Sequence, residues 1–345
     1  MRGPGAGGHS FHGVLLAVDP DGPVLLVFRA LGLGDFLTGV PAYRALAAAY
    51  PDHRFVLAAP AALRPLARLA GVVDGILPCA GLEPIDPRIG PPAVAVNLHG
   101  KGPQSHRIVL ATRPERFIAF ANPLLPETGG LPEWRADEHE VKRWCRLLQE
   151  QGIPCDPNRL ELQPPEVTLD TFVQGATVIH PGAAKRARRW PVDRWAEVAM
   201  KEVAKGRRVL VTGSSDERSL AHDLAERAGL PAGSVLAGRT DLIQLAAVVS
   251  ASARVLSADT GVAHLATAFG VPSVILFGPT SPHTWGPPPD RPHHRCLWRG
   301  TLGDPLADRV DPGLLAIQVD EVLKALEDLP EAPATATVGS ERRSR

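Results

Sequence analysis

The sequence predicts an α/β protein made of two doubly wound parallel sheets that face each other across a cleft. Short apolar runs alternate with helical patterns along the chain, this rhythm begins twice, and 345 residues are enough for two domains. Hydrophobic residues make up 44% of the chain and charged residues 21%, so each half can bury a core.

The first half begins with Val24–Phe28, an apolar run typical of a strand that is covered on both faces of a parallel sheet. A glycine-rich turn follows. We expect a helix from about Thr38, acting as N-cap, to Tyr50, which leaves Pro41 in the first turn. A further helix is expected at residues 137–151. Further strands are expected at residues 55–58, 75–77, 93–98 and 116–120.

The second half repeats this alternation after a proline-rich segment at residues 154–172, which we interpret as a linker. Its strands are expected at residues 177–180, 208–212, 235–237, 254–257 and 273–277. Its helices are expected at residues 193–205, 216–228, 242–251 and 262–269. The predicted domains are therefore residues 13–160 and 173–330, with disordered ends at residues 1–12 and 331–345.

Charge, hydropathy and cysteine spacing narrow the classes of function. The 37 basic and 37 acidic side chains cancel, which argues against a nucleic-acid partner. No stretch approaches the ~18 apolar residues of a membrane span, so we expect a cytoplasmic protein with at most peripheral contact at the inner face of the membrane. The four cysteines have no metal-ligand spacing, and Asp19-Pro20-Asp21 before the first strand is typical of a turn. We therefore expect no metal and no bound cofactor.

Loops that follow strands are where doubly wound sheets bind ligands. The first such loop runs from Arg29 to Asp35 and contains Gly32 and Gly34, but Gly39 comes too late for a G-x-G-x-x-G dinucleotide motif. A nicotinamide or flavin enzyme is thus disfavoured. The turn presents the carboxylate of Asp35 at the cleft, and an ordinary helix N-cap is the alternative interpretation.

Two loops of the second half have the chemistry of an anion site. Four of the five residues 185–189 are cationic, which suits a diphosphate, although a solvated basic loop is the alternative. Farther along, Asp259-Thr260-Gly261 ends a strand and starts a helix, with His264 one turn in. A helix N-terminus with glycine lets a phosphate approach free N–H groups, although each residue alone is compatible with ordinary capping.

The segment Asp259-Thr-Gly-Val-Ala-His-Leu-Ala, continued to Pro282, resembles the signature of glycosyltransferase family 9, the heptosyltransferases. The likeness extends to His180-Pro-Gly-Ala, to Arg188-Arg-Trp-Pro and to Leu31-Gly-Leu-Gly-Asp, and it covers about residues 23–330. It implies a GT-B fold, two Rossmann-like domains of which the C-terminal one holds the nucleotide sugar and the N-terminal one the acceptor. It also implies a last helix, near residues 320–329, that returns to the N-terminal domain.

The resemblance assigns roles to individual residues. It implies that Asp35 is the general base. It implies a donor and diphosphate site made of Lys185, Arg188, Arg189, Asp259, Thr260, Gly261 and His264. Arg188 occupies the position of the cation that binds the diphosphate in the family. Which of the three basic residues makes that contact stays open. A weaker match assigns Asp216 or Glu217 to the nucleoside. Position after a strand suggests an acceptor site at Asn97, His99, Lys101, His106 and Arg107, for which a plain polar loop is the alternative.

The implied activity is that of an inverting glycosyltransferase without a metal requirement. It would move heptose or a related sugar from a nucleoside-diphosphate sugar, ADP-heptose first among them, to a hydroxyl of a glycan, glycolipid or secondary metabolite. Two alternatives remain at this level: a GT-B epimerase or hydrolase of nucleotide sugars, and a non-catalytic protein that binds nucleotide sugars.

Overall fold

The computed structural model describes residues 22–330 and contains two five-stranded parallel sheets. The strands of the first sheet are β1 (Val24–Phe28), β2 (Arg54–Ala59), β3 (Gly75–Pro78), β4 (Val94–Asn97) and β5 (Arg116–Ile118). Those of the second are β6 (Thr177–His180), β7 (Val209–Val211), β8 (Arg254–Ala258), β9 (Ser273–Leu276) and β10 (His294–Leu297). The Asp19–Asp21 turn and the two ends expected to be disordered lie outside the described residues.

Both sheets reverse their strand order at a point that opens a ligand crevice. The first sheet has the order β3-β2-β1-β4-β5 and the second β10-β9-β8-β6-β7. Parallel pairing aligns Val27 with Leu57 on one side and with Val96 on the other. The order in which strands are added to the sheet therefore reverses between β1 and β4 in one sheet and between β6 and β8 in the other. In doubly wound sheets, the loops at such points form the binding site.

Helices cover both faces of each sheet. In the first half they are α1 (Leu33–Thr38), α2 (Val40–Ala49), α3 (Arg64–Ala70), α4 (Gln104–Leu110) and α5 (Glu140–Glu150). In the second half they are α6 (Val192–Ala204), α7 (Arg218–Arg227), α8 (Leu242–Ser250), α9 (Gly261–Phe269), α10 (Pro282–Trp285), α11 (Pro312–Ala316) and α12 (Val319–Glu327). None of these helices, all within residues 22–330, has the length and apolar character needed to cross a bilayer.

Three local predictions were wrong. Thr38 ends α1, and Gly39 is the N-cap of α2, so the glycine-rich turn contains a helix of its own. Val235 makes a single bridge to Val211, and residues 235–237 form no strand. The last helix, α12, packs against α6 and β9, and its buried side chains belong to the core of the second half. It does not return to the first half.

The segment between α5 and β6 has neither helix nor strand, as expected for the linker. It is nevertheless fastened to both halves, since Arg44 Nη1 donates to the carbonyl of Arg159 at 2.7 Å and Arg291 Nη2 donates to that of Asn158 at 2.9 Å. The predicted domain limits at residues 160 and 173 fall inside this segment, and independent folding of the two halves stays a prediction.

The two halves touch through pairs of helices. Leu66 of α3 and Val248 of α8 belong to one apolar cluster that crosses between the halves. The start of α1 lies directly against the start of α9. A Cβ at Gly261 would lie 2.8 Å from Cβ of Leu33, and a Cβ at Gly34 would lie 3.0 Å from Cδ2 of His264. Glycine is therefore required for this close approach of the two helix starts.

We predict that Gly261→Ala weakens the contact between α1 and α9. Leu33 Cβ is fixed to its backbone and cannot swing away, so the added methyl group must push the helices apart, at a cost of about 1–3 kcal/mol in unfolding free energy. Chemical denaturation measures this loss. The control is Gly233→Ala, where the new Cβ meets no atom within 4 Å. Equal stability of the two variants would contradict this account of the contact.

We also predict that acid destabilises the fold through His294 of β10. Burial, with His293 and Arg291 nearby, lowers the pKa of His294 to about 3. Since its ordinary pKa is about 6.5, the neutral ring stabilises the fold fully above pH 6.5, and this contribution is lost as the pH falls toward 3. At pH 5 the effect is on the order of 1–2 kcal/mol.

Unfolding free energies at pH 7.5 and pH 5 test this prediction. We expect a smaller difference between the two pH values for His294→Gln than for the wild type, and an unchanged difference for the exposed His222→Gln. A difference that stays the same in His294→Gln would refute the assignment. Part of the pH dependence remains in every case, because burial also lowers the pKa of His106, His139, His180 and His264.

Candidate active site

A cleft of about 1110 Å³ opens between the carboxyl edges of the two sheets. The first half lines it with the start of α1 and the start of α3. The second half lines it with the loops after β6, β7 and β8, the start of α8 and the α10 segment. The sequence-predicted residues that reach this cleft are Asp35, Arg188, Glu217, Asp259, Thr260, Gly261 and His264.

Asp35 is the third residue of α1 and projects into the cleft from the first half. Gly32 occupies the N-cap position, so the alternative interpretation of Asp35 as a plain N-cap is wrong. Its side chain is 29% exposed, which leaves the carboxylate accessible to a substrate while its surroundings hold it in place.

Arg29, the residue after β1, holds this carboxylate from behind. Its side chain is fully buried, Nε donates to the carbonyl of Asp35 at 2.5 Å, and Nη2 lies 3.7 Å from Asp35 Oδ1. Nη1 donates to the carbonyl of Leu98, in the loop after β4, and the guanidinium lies 4.9 Å from the ring centroid of Trp144. Sequence reasoning missed this role, although an arginine directly after a fully apolar strand was a visible signal.

Glu140, at the start of α5, neutralises the buried arginine. Its Oε1 accepts from Arg29 Nη2 at 3.0 Å and from Trp144 Nε1 at 2.8 Å, and Oε2 pairs with Arg143. Burial alone would lower the pKa of Arg29, but the charges of Glu140 and Asp35 outweigh burial and leave it raised. Burial opposes the charge of Glu140 as well, but Arg29 and Arg143 lower its pKa below the usual range.

The basic loop of the second half brings one of its cations into the cleft. Arg188 Nη1 donates to the carbonyl of Asp259 at 3.1 Å and lies 4.0 Å from Asp259 Oδ2. Arg189 Nε is bound to the carbonyl of Ala183 at 2.8 Å. Neither Arg189 nor the exposed Lys185 lines the cleft. The structure thus distinguishes Arg188 from its neighbours by position.

Asp259 and the start of α9 lie beside Arg188. Asp259 is nearly buried, and Oδ2 accepts from Thr280 Oγ1 at 2.6 Å. Thr260 is the N-cap of α9, and its buried hydroxyl has no hydrogen-bond partner among residues 22–330. The first N–H groups of a helix have no intrahelical acceptors, so this end of α9 offers donors and a positive dipole to an anion.

His264 lies one turn into α9 at the contact between the halves. Burial lowers its pKa, although Asp259 and Asp35 act in the opposite direction, so the ring is neutral at neutral pH. Its ring packs against Gly34 on one side and lies edge-on to Trp285 on the other, with 6.2 Å between the ring centroids.

The far end of the cleft contains Glu217 and His180. Glu217 Oε2 accepts from the backbone N–H of Ser214 at 2.8 Å, which caps the turn after β7. Burial lowers the pKa of His180, and its Nδ1 lies 3.0 Å from Thr212 Oγ1. Asp216 is exposed and does not line the cleft, so the structure brings only one of the two predicted acids to this end.

The predicted acceptor residues are widely separated. Asn97 and His106 have no exposed surface. They contact each other at 2.7 Å, and the other nitrogen of His106 meets the carbonyl of Phe120 at 2.7 Å. Lys101 is exposed outside the cleft, and Arg107 lines a different cavity with Ile85 and Arg113. This set therefore does not form one site.

His99 is the member of this set that lies near Asp35. Its ring stacks on Phe28 with centroids 4.8 Å apart, and its backbone N–H donates to Asn97 Oδ1 at 2.9 Å. Burial lowers its pKa, Arg29 lowers it further, and Asp35 opposes both. Asn97 thus orients the loop that carries His99.

Sequence reasoning also missed Arg64, Thr280 and Trp285. Arg64 begins α3 and is exposed in the cleft on the side of the first half. Its position just after β2 was the available signal. Thr280 and Trp285 lie beyond β9, where the sequence analysis placed no site residue.

Among residues 22–330, no group of three or more His, Cys, Asp or Glu side chains is arranged to hold a metal ion. One structural neighbour, the E. coli glycosyltransferase TibC, is described as iron-containing. It matches with a TM-score of 0.59 and 15% identity, over 89% of this chain and 76% of its own. That likeness extends to the fold alone.

Known proteins match this architecture along most of the chain. Lipopolysaccharide heptosyltransferase 2 of Escherichia coli K12 is 25% identical over an alignment of 301 residues, and the match covers 75% of this chain and 83% of that protein. The structure of E. coli ADP-heptose LPS heptosyltransferase II matches with a TM-score of 0.71 and 22% identity, over 88% and 97% of the two chains. E. coli heptosyltransferase WaaC with ADP-2-deoxy-2-fluoro heptose gives a TM-score of 0.64 and 17% identity, over 88% and 99%.

The family match includes most of the cleft of the second half. A sequence model described as glycosyltransferase family 9 (heptosyltransferase) matches residues 132–303. This range contains the basic loop, the start of α9 and the α10 segment. Together with the relatives that match along most of their length and the two facing parallel sheets of the GT-B type, it identifies the protein as an enzyme: the chain belongs to glycosyltransferase family 9.

Proposed function

We propose that this enzyme transfers heptose, or a closely related sugar, from ADP-heptose to an acceptor hydroxyl with inversion at the anomeric carbon. One observation carries the proposal: an accessible carboxylate of the first half, Asp35, shares a cleft with a cation and a helix N-terminus of the second half, Arg188 and α9. This is the arrangement that a direct displacement needs, with a base on one side of the reacting carbon and an anion site on the other.

In the proposed step, the acceptor oxygen attacks the anomeric carbon while Asp35 takes the proton of the acceptor hydroxyl. A new C–O bond forms, and the bond between the sugar and the diphosphate oxygen breaks on the opposite face. The nucleoside diphosphate leaves with the bonding electron pair. Arg29 acts behind Asp35, since it binds the backbone carbonyl of Asp35 and lies near its carboxylate, and Glu140 holds Arg29 in position.

The leaving diphosphate gains negative charge as the bond breaks. We assign its stabilisation to Arg188, to the N–H groups at the start of α9 and to the partnerless hydroxyl of Thr260. Asp259 accepts from Thr280 and keeps Arg188 in place through its carbonyl. Because these fixed donors can neutralise the charge, we propose that transfer needs no metal ion.

The nucleoside belongs at the far end of the cleft, near Glu217, Ser214 and the start of α8. A carboxylate such as Glu217 suits the hydroxyl groups of a ribose. The preference for ADP and heptose rests on the relatives, which include a heptosyltransferase whose structure contains ADP-2-deoxy-2-fluoro heptose.

The acceptor approaches Asp35 from the first half. Arg64 and His99 are the polar groups there that lie in or beside the cleft, and we propose that they contact it. An exposed arginine favours an acceptor with a negative charge, such as an anionic glycan or glycolipid. The curated relatives include lipopolysaccharide heptosyltransferases, and on that basis we propose a glycolipid acceptor that is reached from the cytoplasm at the inner face of the membrane.

We predict that Asp35→Asn lowers kcat by about 10²–10⁴-fold, because the amide cannot accept the proton of the acceptor. Steady-state transfer assays measure kcat, and calorimetry checks that the affinity for ADP stays within about twofold, since the diphosphate site lies on the other half. Asp52→Asn is the matched control, because Asp52 is exposed at the opposite edge of the sheet, in the turn before β2. Unchanged kcat in Asp35→Asn would rule Asp35 out as the base.

Incubation with the donor alone separates the alternatives. A transferase releases the diphosphate quickly only when an acceptor is present, whereas a hydrolase does so without one and an epimerase changes the sugar with the diphosphate still attached.

We predict that Arg188→Ala raises the Kd for ADP about tenfold to a hundredfold, because it removes a charge-assisted contact to the diphosphate. Calorimetric titration with ADP measures the change. The matched control is Lys185→Ala in the same loop, for which we expect less than about threefold, because its side chain lies outside the cleft. An equal loss in both variants would mean that the loop acts only through its total charge.

A further inference from the structure

Trp285 is a large aromatic side chain in the cleft for which neither the family signature nor the mechanism above gives a role. Part of its ring packs on the apolar cluster of Ala263, Ile275 and Phe277 in the second half. The remainder faces the cleft. Trp285 is therefore partly supported by the core and partly available to a ligand.

The backbone directly after Trp285 is held from both halves. Gly286, the next residue, donates from its N–H to the carbonyl of Pro282 at 2.7 Å. Its own carbonyl accepts from His139 Nε2, at the start of α5, at 2.9 Å. Burial lowers the pKa of His139, which keeps the ring neutral, and its Nδ1 accepts from the N–H of Val141, so Nε2 is the nitrogen that donates. A rigid aromatic surface loses little entropy when a ligand packs on it.

Trp285 lies at the end of the cleft that contains Asp35, the proposed base. Its neighbour is His264, whose ring packs against Gly34, the residue before Asp35. The opposite end, with Ser214 and Glu217, is the one that we assigned to the nucleoside. A direct displacement places the transferred sugar between the base and the diphosphate site, so this end of the cleft is where the sugar binds in the proposed reaction.

The indole N–H groups of the tryptophans differ in whether a protein oxygen accepts from them. The N–H groups of Trp144, Trp190, Trp195 and Trp298 each donate to a protein oxygen. The N–H groups of Trp134 and Trp285 have no acceptor within residues 22–330, and of these two tryptophans Trp285 is the one that lines the cleft. Its N–H is therefore available to a hydroxyl group of a ligand, while the ring offers an apolar face.

We propose that Trp285 forms the wall of the sugar subsite of the donor, where the aliphatic C–H face of the transferred pyranose packs on the indole ring and a sugar hydroxyl accepts from Nε1. The proposal rests on the proposed function, because it assumes a nucleotide-sugar donor. Pyranose rings carry their hydroxyls around an apolar face, and an aromatic ring recognises that face. Trp285 would then contribute to the affinity for the sugar and nothing to that for the nucleotide.

Calorimetric titrations with ADP and with ADP-heptose, without acceptor, test this assignment. For Trp285→Ala we expect the Kd of ADP-heptose to rise about fivefold to tenfold while the Kd of ADP changes less than twofold. Trp285→Phe should recover most of the ring contact, and its Kd for ADP-heptose should rise about twofold. Trp298→Ala is the matched control, since Trp298 packs on the same cluster outside the cleft. It should change neither constant by more than about twofold.

Any other outcome contradicts the proposal, and each contrary result points to a different cause. If both constants rise together in Trp285→Ala, the indole serves the nucleotide or the fold. If Trp298→Ala gives the same selective loss, the effect comes from the cluster and not from a wall of the subsite. If ADP-heptose binds no more tightly than ADP to the wild type and to both Trp285 variants, there is no sugar subsite at the indole. If the wild type binds neither ligand, the proposed function fails and this assignment fails with it.

Discussion

The buried ion pair between Arg29 and Glu140 is the interaction on which the site of the first half depends. A guanidinium without solvent contact is stable only if its charge and its N–H groups are satisfied, and here the satisfying groups come from three separate elements. They are the start of α1 at Asp35, the loop after β4 at Leu98 and the start of α5 at Glu140. The cost of burying the charge of Arg29 is thus offset in the arrangement that points Asp35 at the cleft. The close contact between α1 and α9, at Gly34 and Gly261, then sets how far Asp35 lies from the second half.

Much of the fold was predictable because its cause is local. Val24–Phe28 is apolar at every position, and a strand buried on both faces requires that pattern. The strand β10 (His294–Leu297) was not predicted, since it is an edge strand with polar residues, and the Nδ1 atom of its buried His294 pairs with Ser273 of the neighbouring β9. Residues 235–237 have the composition of a strand but make only one bridge, from Val235 to Val211 at the end of β7.

The site was less predictable than the fold, because polar residues after a strand can either face a ligand or pair with one another inside the core. Asn97 and His106 have the residue types of a binding loop, yet their polar atoms satisfy one another inside the core. Asp35, in contrast, keeps part of its carboxylate in the cleft while Arg29 satisfies the remainder. Sequence alone shows the residue types, whereas the distinction depends on partners 69 and 111 residues away from Arg29, at Leu98 and Glu140.

The basic loop shows that the number of cations in a sequence does not explain binding until the orientation of each side chain is known. Residues 186–188 form one 3₁₀ turn, and Ala187 fastens it, since its N–H donates to the carbonyl of Ala307 and its carbonyl accepts from Asp311. This anchoring turns Arg188 toward Asp259 and leaves Lys185 in solvent. One oriented cation next to a helix N-terminus matches a small anion, whereas four cations spread over a surface would match a polymer. A chain of zero net charge can therefore contain a strong anion site, since what the anion meets is the local arrangement.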